Sequence, residues 1–242
     1  MKPKAVMNWS GGKDSSLALY DVLQKDEVEV VALLTTVNKT FGRISMHGVR
    51  ETLLEEQANT IGLPLMKVML DDKPSMTSYE NEMAKAMAKL KADGVTVSIF
   101  GDIFLEDLKK YREEKLESAG FKGLFPLWKQ DTKTLTEQFV HDGFKGITSC
   151  VTADKLGEDW VGKEMNRDFF VELPENVDPC GENGEYHSFV YDGPHMKQAM
   201  KIIPGEKVYR TYERPENPDD DCPCGSNCAV DIGFWYCDLT MK

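Results

Sequence analysis

Six consecutive residues near the amino terminus, Ser10-Gly11-Gly12-Lys13-Asp14-Ser15, combine the groups that a chain of phosphates needs. Two glycines let the backbone come close to a ligand and take up left-handed geometry. An apolar stretch, Lys4–Trp9, precedes them and a helical pattern, Ser15–Lys25, follows. The loop therefore lies where a helix offers its unpaired N–H groups and the positive end of its dipole, which makes an anion site. Ser10 and Ser15 contribute hydroxyls and Lys13 a charge. Asp14 fits less simply, because a carboxylate repels phosphate; it either caps the helix or holds Mg2+ against the phosphates. The spacing matches neither G-x-x-x-x-G-K-[ST] nor G-x-G-x-x-G.

A second polar cluster, Asp178-Pro179-Cys180-Gly181-Glu182-Asn183-Gly184-Glu185-Tyr186-His187-Ser188, lies far downstream. If the segment from Glu185 to Val190 is extended, Glu185 and His187 project to one face and Tyr186 and Ser188 to the other. Glu185 or His187 would then be placed to take a proton, with Glu182 and Asn183 contacting a substrate; the alternative is a hairpin of exposed polar residues. Between the clusters, His47 and Arg50 follow the second strand, and Gly101-Asp102 ends the fourth, where open α/β sheets place ligand contacts. Only six arginines occur, so Arg50, which forks well onto phosphate, draws attention; otherwise it pairs with Glu51 or Glu55. Asp102 is read as a ligand contact or a helix cap, and Arg112, among glutamates, as readily as part of a solvated face. Cys222, Cys224, Cys228 and Cys237 offer four thiols, but with gaps of one, three and eight residues they depart from usual zinc spacing, and free thiols are expected.

The elements that must position these residues alternate. Strands are expected at Lys4–Trp9, Val28–Val37, Leu65–Leu70 and Thr96–Gly101, with helices at Ser15–Lys25, Val49–Ile61, Tyr79–Ala92 and Leu105–Ala119. This implies an α/β fold with a doubly wound parallel sheet, its ligands at the carboxyl ends of the strands. After Gly123 the pattern loosens. A helix at Thr132–His141, a strand at Gly146–Thr152 and hairpin-like pieces at Tyr186–Tyr191, Glu206–Tyr212 and Gly233–Leu239 suggest a smaller α+β lobe. The expected division is a nucleotide-binding domain at 1–122 and an acceptor-binding lobe at 123–242, with a mobile loop at about 214–228.

The chain has 242 residues, 41% of them hydrophobic, with 29 Lys+Arg against 41 Asp+Glu for a net charge of −12. This is a globular composition, and the acidic balance argues against broad nucleic-acid binding. No apolar run is long enough to span a membrane and the first residues lack a signal-peptide core, so a cytoplasmic protein is expected. Nothing here fixes the oligomeric state; a homo-oligomer stays open.

The loop at Ser10–Ser15 resembles the SGGxDS signature of the PP-loop ATP pyrophosphatases, enzymes of the adenine nucleotide alpha-hydrolase-like fold. Together with Met46-His47-Gly48-Val49-Arg50, Gly101-Asp102-Ile103, Pro126-Leu127-Trp128 and the cluster at Asp178–Ser188, in this order, it is similar to the diphthine–ammonia ligase family. The stretches Leu105–Glu113 and Asp178–His187 look more like that family's bacterial-type members. The resemblance runs from about Lys4 to Leu239. It implies ATP and Mg2+ as cofactors, with the Ser10–Ser15 loop, His47, Arg50, Gly101 and Asp102 at the nucleotide, and Lys13, Asp14, Glu185 and His187 in catalysis. It implies adenylation of a carboxylate with pyrophosphate release, followed by amidation with ammonia. The acceptor would be diphthine on elongation factor 2 or another carboxylate. Two other readings stand beside it: a PP-loop enzyme adenylating a small molecule or a tRNA base, and a nucleotide-binding regulator without turnover.

The cysteine spacing yields a first prediction. Purified protein should carry far less than one equivalent of zinc by elemental analysis, and a chelator should leave its melting temperature unchanged. Stoichiometric zinc, lost together with stability on chelation, would overturn the reading of free thiols.

Overall fold

The computed structural model describes residues 1–44, 47–72, 75–212 and 232–242. Cys222, Cys224 and Cys228, and the loop expected at 214–228, lie outside the described residues. None of the described helices is long and apolar enough to cross a membrane.

Five parallel strands make the first sheet: β1 (Lys4–Asn8), β2 (Glu29–Asn38), β4 (Leu65–Leu70), β5 (Val95–Ile99) and β6 (Lys122–Leu124). Pairing sets them in the order β4-β2-β1-β5-β6. The order reverses between β1 and β5, and the crevice at such a reversal is where ligands bind in this class of sheet. Two-residue periodicity divides the strand side chains between two cores. Ala5, Met7 and Leu33 face one, and Val6, Ala32 and Leu34 the other. Helices α1 (Lys13–Lys25) and α2 (Glu51–Ile61) cover the first face. Helices α3 (Met76–Ala92) and α4 (Glu106–Ala119) cover the second.

Short elements that periodicity did not reveal complete this half. Strand β3 (Arg43–Ile44) runs antiparallel to the end of β2, pairing Val37 with Ile44. Helix α3 starts before Tyr79 because the Ser75 hydroxyl accepts from Ser78 N at 3.2 Å, an N-cap that replaces a missing backbone partner. Helix α4 closes on Gly120 at φ 76°, the left-handed cap its sequence implied.

The second half is an antiparallel sheet in the order β8-β7-β10-β9, built from β7 (Lys145–Thr152), β8 (Tyr186–Asp192), β9 (Ile202–Tyr212) and β10 (Ile232–Met241). Helices α5 (Thr132–His141) and α6 (Arg167–Glu172) pack with it. One continuous core joins the halves, running from Leu17 and Leu54 through Phe139, Phe169 and Phe189. The boundary expected between residues 122 and 123 falls inside β6 of the first sheet.

The junction is made by the open edge of β8. Val190 N donates to the carbonyl of Gly11 at 2.8 Å, and Lys13 N donates to the Ser188 hydroxyl at 3.0 Å. Gln57, fully buried on α2, donates through Nε2 to Gly11 O at 3.0 Å and Val190 O at 2.6 Å, and accepts from Trp9 Nε1 at 2.8 Å. One amide thus satisfies three backbone and indole groups, from the β1–α1 loop and from β8, that water cannot reach.

Gln57→Leu keeps the volume but leaves the Trp9 N–H and the Val190 carbonyl without partners. Each orphaned buried group costs about 1–3 kcal/mol, so a loss of about 2–4 kcal/mol is expected in chemical denaturation. Weaker ATP binding should accompany it. Unchanged stability would show that the junction does not depend on this amide.

Candidate active site

The carboxyl ends of the parallel strands and the β8 edge enclose a cavity of about 550 Å3. Ser10, Gly12, Lys13, Asp14 and Ser15 form its floor, and Gly101 and Asp102 one side. Glu182, His187 and Ser188 face them from the second half, with His47 beside His187. Both polar clusters of the sequence therefore open into one cleft.

The floor has the close backbone approach that a phosphate cradle requires. Gly11 sits at φ 77°, in the left-handed region. A side chain on Gly12 would come within 3.0 Å of the Ser188 carbonyl, and one on Gly101 within 2.9 Å of the Asp14 backbone. The N-cap of helix α1, Gly12, has no side chain for the first turn to donate to, and beyond Lys13 N, which Ser188 takes, the N–H groups of Asp14 and Ser15 in the first turn face an anion site. Ser10 and Ser15 hydroxyls lie 3.1 Å apart across the loop.

The Lys13 side chain is fully enclosed and paired with Asp14. Burial alone would lower its ammonium; Asp14, with Cys180 and Tyr186 nearby, instead holds it well above the ordinary value, so it remains a cation. Asp14 keeps partial exposure toward the cavity. Among the described residues, no group of three or more His, Cys, Asp or Glu side chains is arranged to hold a metal unaided. That donor set suits a Mg2+ held through ATP phosphates and one or two carboxylates, with waters completing its shell.

Asp102 and Arg112 form an ion pair, Nε 2.7 Å from Oδ2 at an angle poor for hydrogen bonding, while Nη2 reaches Oδ1 at 3.3 Å. The guanidinium stacks on Phe100 at 4.5 Å, so Arg112 is a wall of the cleft and not a solvated surface charge. Burial raises the Asp102 carboxyl against the pull of Arg112. Burial also pushes Glu182 up to about 7, opposed by the Ile103 N–H that its Oε1 accepts at 2.8 Å and reinforced by Asp14 and Asp102. The His47 and His187 rings lie 4.4 Å apart. Burial, with His187 beside it, pushes His47 down to about 3, and burial pushes His187 down to about 4. Both are neutral imidazoles at pH 7, able to donate hydrogen bonds without adding charge.

Several expected positions lie elsewhere. The alternation expected from Glu185 onward does not hold, because β8 begins only at Tyr186 and Glu185 belongs to the loop before it. Tyr186, His187 and Ser188 all line the cleft. Glu185 turns inward to the Asp178–Tyr186 loop, where its carboxylate accepts from Asp178 N at 3.0 Å, Asn183 N at 3.0 Å and Asn183 Nδ2 at 3.2 Å. Glu185 and Asn183 are thus a brace within the loop and do not line the cavity. Arg50 pairs with Asp238 instead of facing the cleft, or joining Glu51 or Glu55. Gly11 shapes the floor from behind, through its bond to Val190.

The sequence reading missed Thr35 at the end of β2, Tyr79 and Met83 on α3, and Phe100 after β5, all of which line the cavity. The strand-end positions had a signal, since ligands gather at the carboxyl ends of a parallel sheet. The helix residues had none, because their spacing is that of ordinary core.

Glu182 yields a test. Its folded value lies above that of the unfolded carboxyl, so the native state binds a proton that the unfolded chain has released. The stabilisation is full below about pH 4.5 and is lost as pH rises through 7. Glu182→Gln should match the parent near pH 5 and exceed it near pH 8 by on the order of 1–2 kcal/mol, allowing for partial solvent screening. Identical curves at both pH values would place Glu182 in bulk-like solvent.

Family models match most of the chain. The model of the diphthamide synthase N-terminal domain matches residues 2–123, and that of the C-terminal domain residues 131–214. A diphthine–ammonia ligase of Schizosaccharomyces pombe is 30% identical over 109 residues, 42% of this chain; the match spans only 18% of that relative's length. A diphthine–ammonia ligase of Bos taurus is 23% identical over 224 residues, covering 82% of each chain. A crystal structure of a predicted subunit of tRNA methyltransferase from Methanocaldococcus jannaschii superposes with a TM-score of 0.42 at 21% identity, covering 79% of this chain and 98% of that one.

Proposed function

The chain belongs to the diphthamide synthase family, and on that footing we propose that it is an ATP-dependent ligase that adenylates a carboxylate and amidates it with ammonia. The observation that carries the reading is the single cavity shared by the Ser10–Ser15 loop and the Glu182–Ser188 segment. A nucleotide held by the loop would meet an acceptor held by the second half in that one cavity.

In this reading the carboxylate oxygen attacks the α-phosphorus of ATP and pyrophosphate leaves with the bonding pair. Lys13, the Ser10 and Ser15 hydroxyls and the first turn of α1 bind the phosphates and stabilise the charge that grows on the leaving group. When bound, Mg2+ would neutralise phosphate charge between the nucleotide and Asp14. Ammonia nitrogen then attacks the acyl carbon, AMP leaves with the C–O pair, and nitrogen sheds one proton. Glu182 is the group best suited to take that proton, since its value near 7 keeps a large ionised fraction at neutral pH without making it too weak a base. The uncharged His47 and His187 supply N–H donors to the acyl and phosphate oxygens. The acceptor class favoured by the relatives' names is diphthine, the carboxylate-bearing modified histidine of elongation factor 2.

The experiment incubates the protein with ATP, Mg2+, ammonium and elongation factor 2 carrying diphthine, and measures AMP, pyrophosphate and amide. Lys13→Ala should abolish ATP binding by calorimetry and turnover together. Glu182→Gln should bind ATP within about 3-fold of the parent but amidate about 10²-fold more slowly, the scale of a lost acid–base group. Hydroxylamine, whose less basic nitrogen sheds its proton more readily after attack, should narrow that defect. Parent protein that makes no acceptor-dependent AMP would exclude the ligase reading. An equal defect with ammonium and hydroxylamine would remove Glu182 from proton transfer.

A further inference from the structure

Strand β10 is remote in sequence from the nucleotide loop, yet it grips the segment that delivers His47 to the cleft. Asp238 Oδ1 accepts from Arg43 Nη2 at 2.7 Å and Arg50 Nε at 2.9 Å, and Oδ2 accepts from Arg50 Nη2 at 2.5 Å. Arg43 donates through Nη1 to the Gly48 carbonyl at 2.6 Å. The two arms of the segment are closed by Ile44 N to Val49 O at 2.9 Å and Gly48 N to Ile44 O at 3.1 Å. Gly48 lies at φ 66°, and a side chain there would come within 2.6 Å of the Tyr236 ring, two residues before Asp238. One carboxylate therefore holds the arginines on either side of His47, while the neighbouring tyrosine packs under the residue that follows it.

We propose that Asp238 is the positioning residue of His47, fixing its ring against His187 at the acceptor end of the cleft. The proposal rests on the ligase reading for its catalytic consequence, but not for its structural one. Magnitudes separate this role from simple stabilisation. Arg43, Arg50 and Asp238 are 33%, 44% and 27% exposed. Ion pairs with that much solvent contribute about 0–1 kcal/mol to folding, so the fold does not depend on the clamp. A neutral imidazole that must sit within a few tenths of an ångström of its target does depend on its anchor, because small displacements cost much of a positioned group's effect. Hydrogen bonds from Arg50 and Arg43 hold the Asp238 carboxyl down at about 2, so the clamp stays charged throughout the pH range in which the enzyme would work. It also gives Arg50 a structural task that its sequence did not suggest.

The test compares Asp238→Asn, Asp238→Ala and Asp238→Glu in the full chain, following the His47 ring by NMR, assigned with a His47→Gln control. In Asp238→Asn and Asp238→Ala the His47 titration should climb from about 3 toward the ordinary range near 6.5, with its resonance moving toward that of a free histidine. The melting temperature should change by no more than a few degrees. ATP affinity should stay within about 3-fold, while kcat for amidation falls about 10- to 100-fold. Asp238→Glu, which keeps the charge and fork, should restore most of both signals. An unmoved His47 resonance in Asp238→Asn and Asp238→Ala would overturn the proposal, as would a displaced His47 with full kcat. A loss of activity matched by a loss of folded protein would overturn it too. The NMR arm needs no turnover, so a parent protein without ligase activity would sink the functional reading and leave this one to be judged on its own result.

Discussion

An edge strand with nothing beside it exposes a row of unpaired backbone groups, and this molecule resolves that constraint by pairing the open edge of β8 with the phosphate loop. Gly11 and Val190 share a backbone hydrogen bond, and Gln57 completes the pairing on both carbonyls. The arrangement solves two problems together. It covers an edge that would otherwise invite association, and it fixes a glycine-rich loop that has little conformational preference of its own. Because Ser188 and Lys13 belong to the same contact, the second half's side of the cleft is fixed relative to the glycine-rich loop. The depth of the cavity, the placing of Glu182 and the proximity of His47 to His187 all inherit that geometry.

The cleft also manages its charge locally. A protein with a net charge of −12 is a poor general attractant for ATP, and three carboxylates, Asp14, Asp102 and Glu182, line the cavity itself. Lys13 answers the first and Arg112 the second. Among the described residues Glu182 has no cationic partner and receives only backbone N–H groups, and burial raises its carboxyl to about 7.

Much of this was legible in the sequence. Alternating β-branched strands and amphipathic helices with glycine stops gave the parallel sheet, and a glycine pair marked the loop between β1 and α1 that lines the cavity. In the second cluster, alternation expected Glu185 in the cleft beside His187, but Glu185 precedes β8 and turns into the Asp178–Tyr186 loop. Which backbone groups a loop carboxylate meets depends on how the chain folds back, and residue spacing does not record that. Gln57 and Asp238 were invisible for a related reason. Each acts across a long sequence separation, on backbone or arginine groups, and a lone amide on a helix or a lone aspartate in a strand carries no mark of its partner. Arg50 was noticed for its scarcity, which is a fact about composition, whereas its partner is a fact about topology.

The shared core and the Gly11–Val190 bond have a consequence for the order in which the protein comes into being on the ribosome. The phosphate loop is among the first segments synthesised, but its final shape waits until residues 188–190 have been made and folded back onto it. A nascent chain carrying only the first sheet has the loop's sequence without its geometry. The cavity lined by both halves is thereby completed only once the second half is in place, and a half-made molecule lacks it.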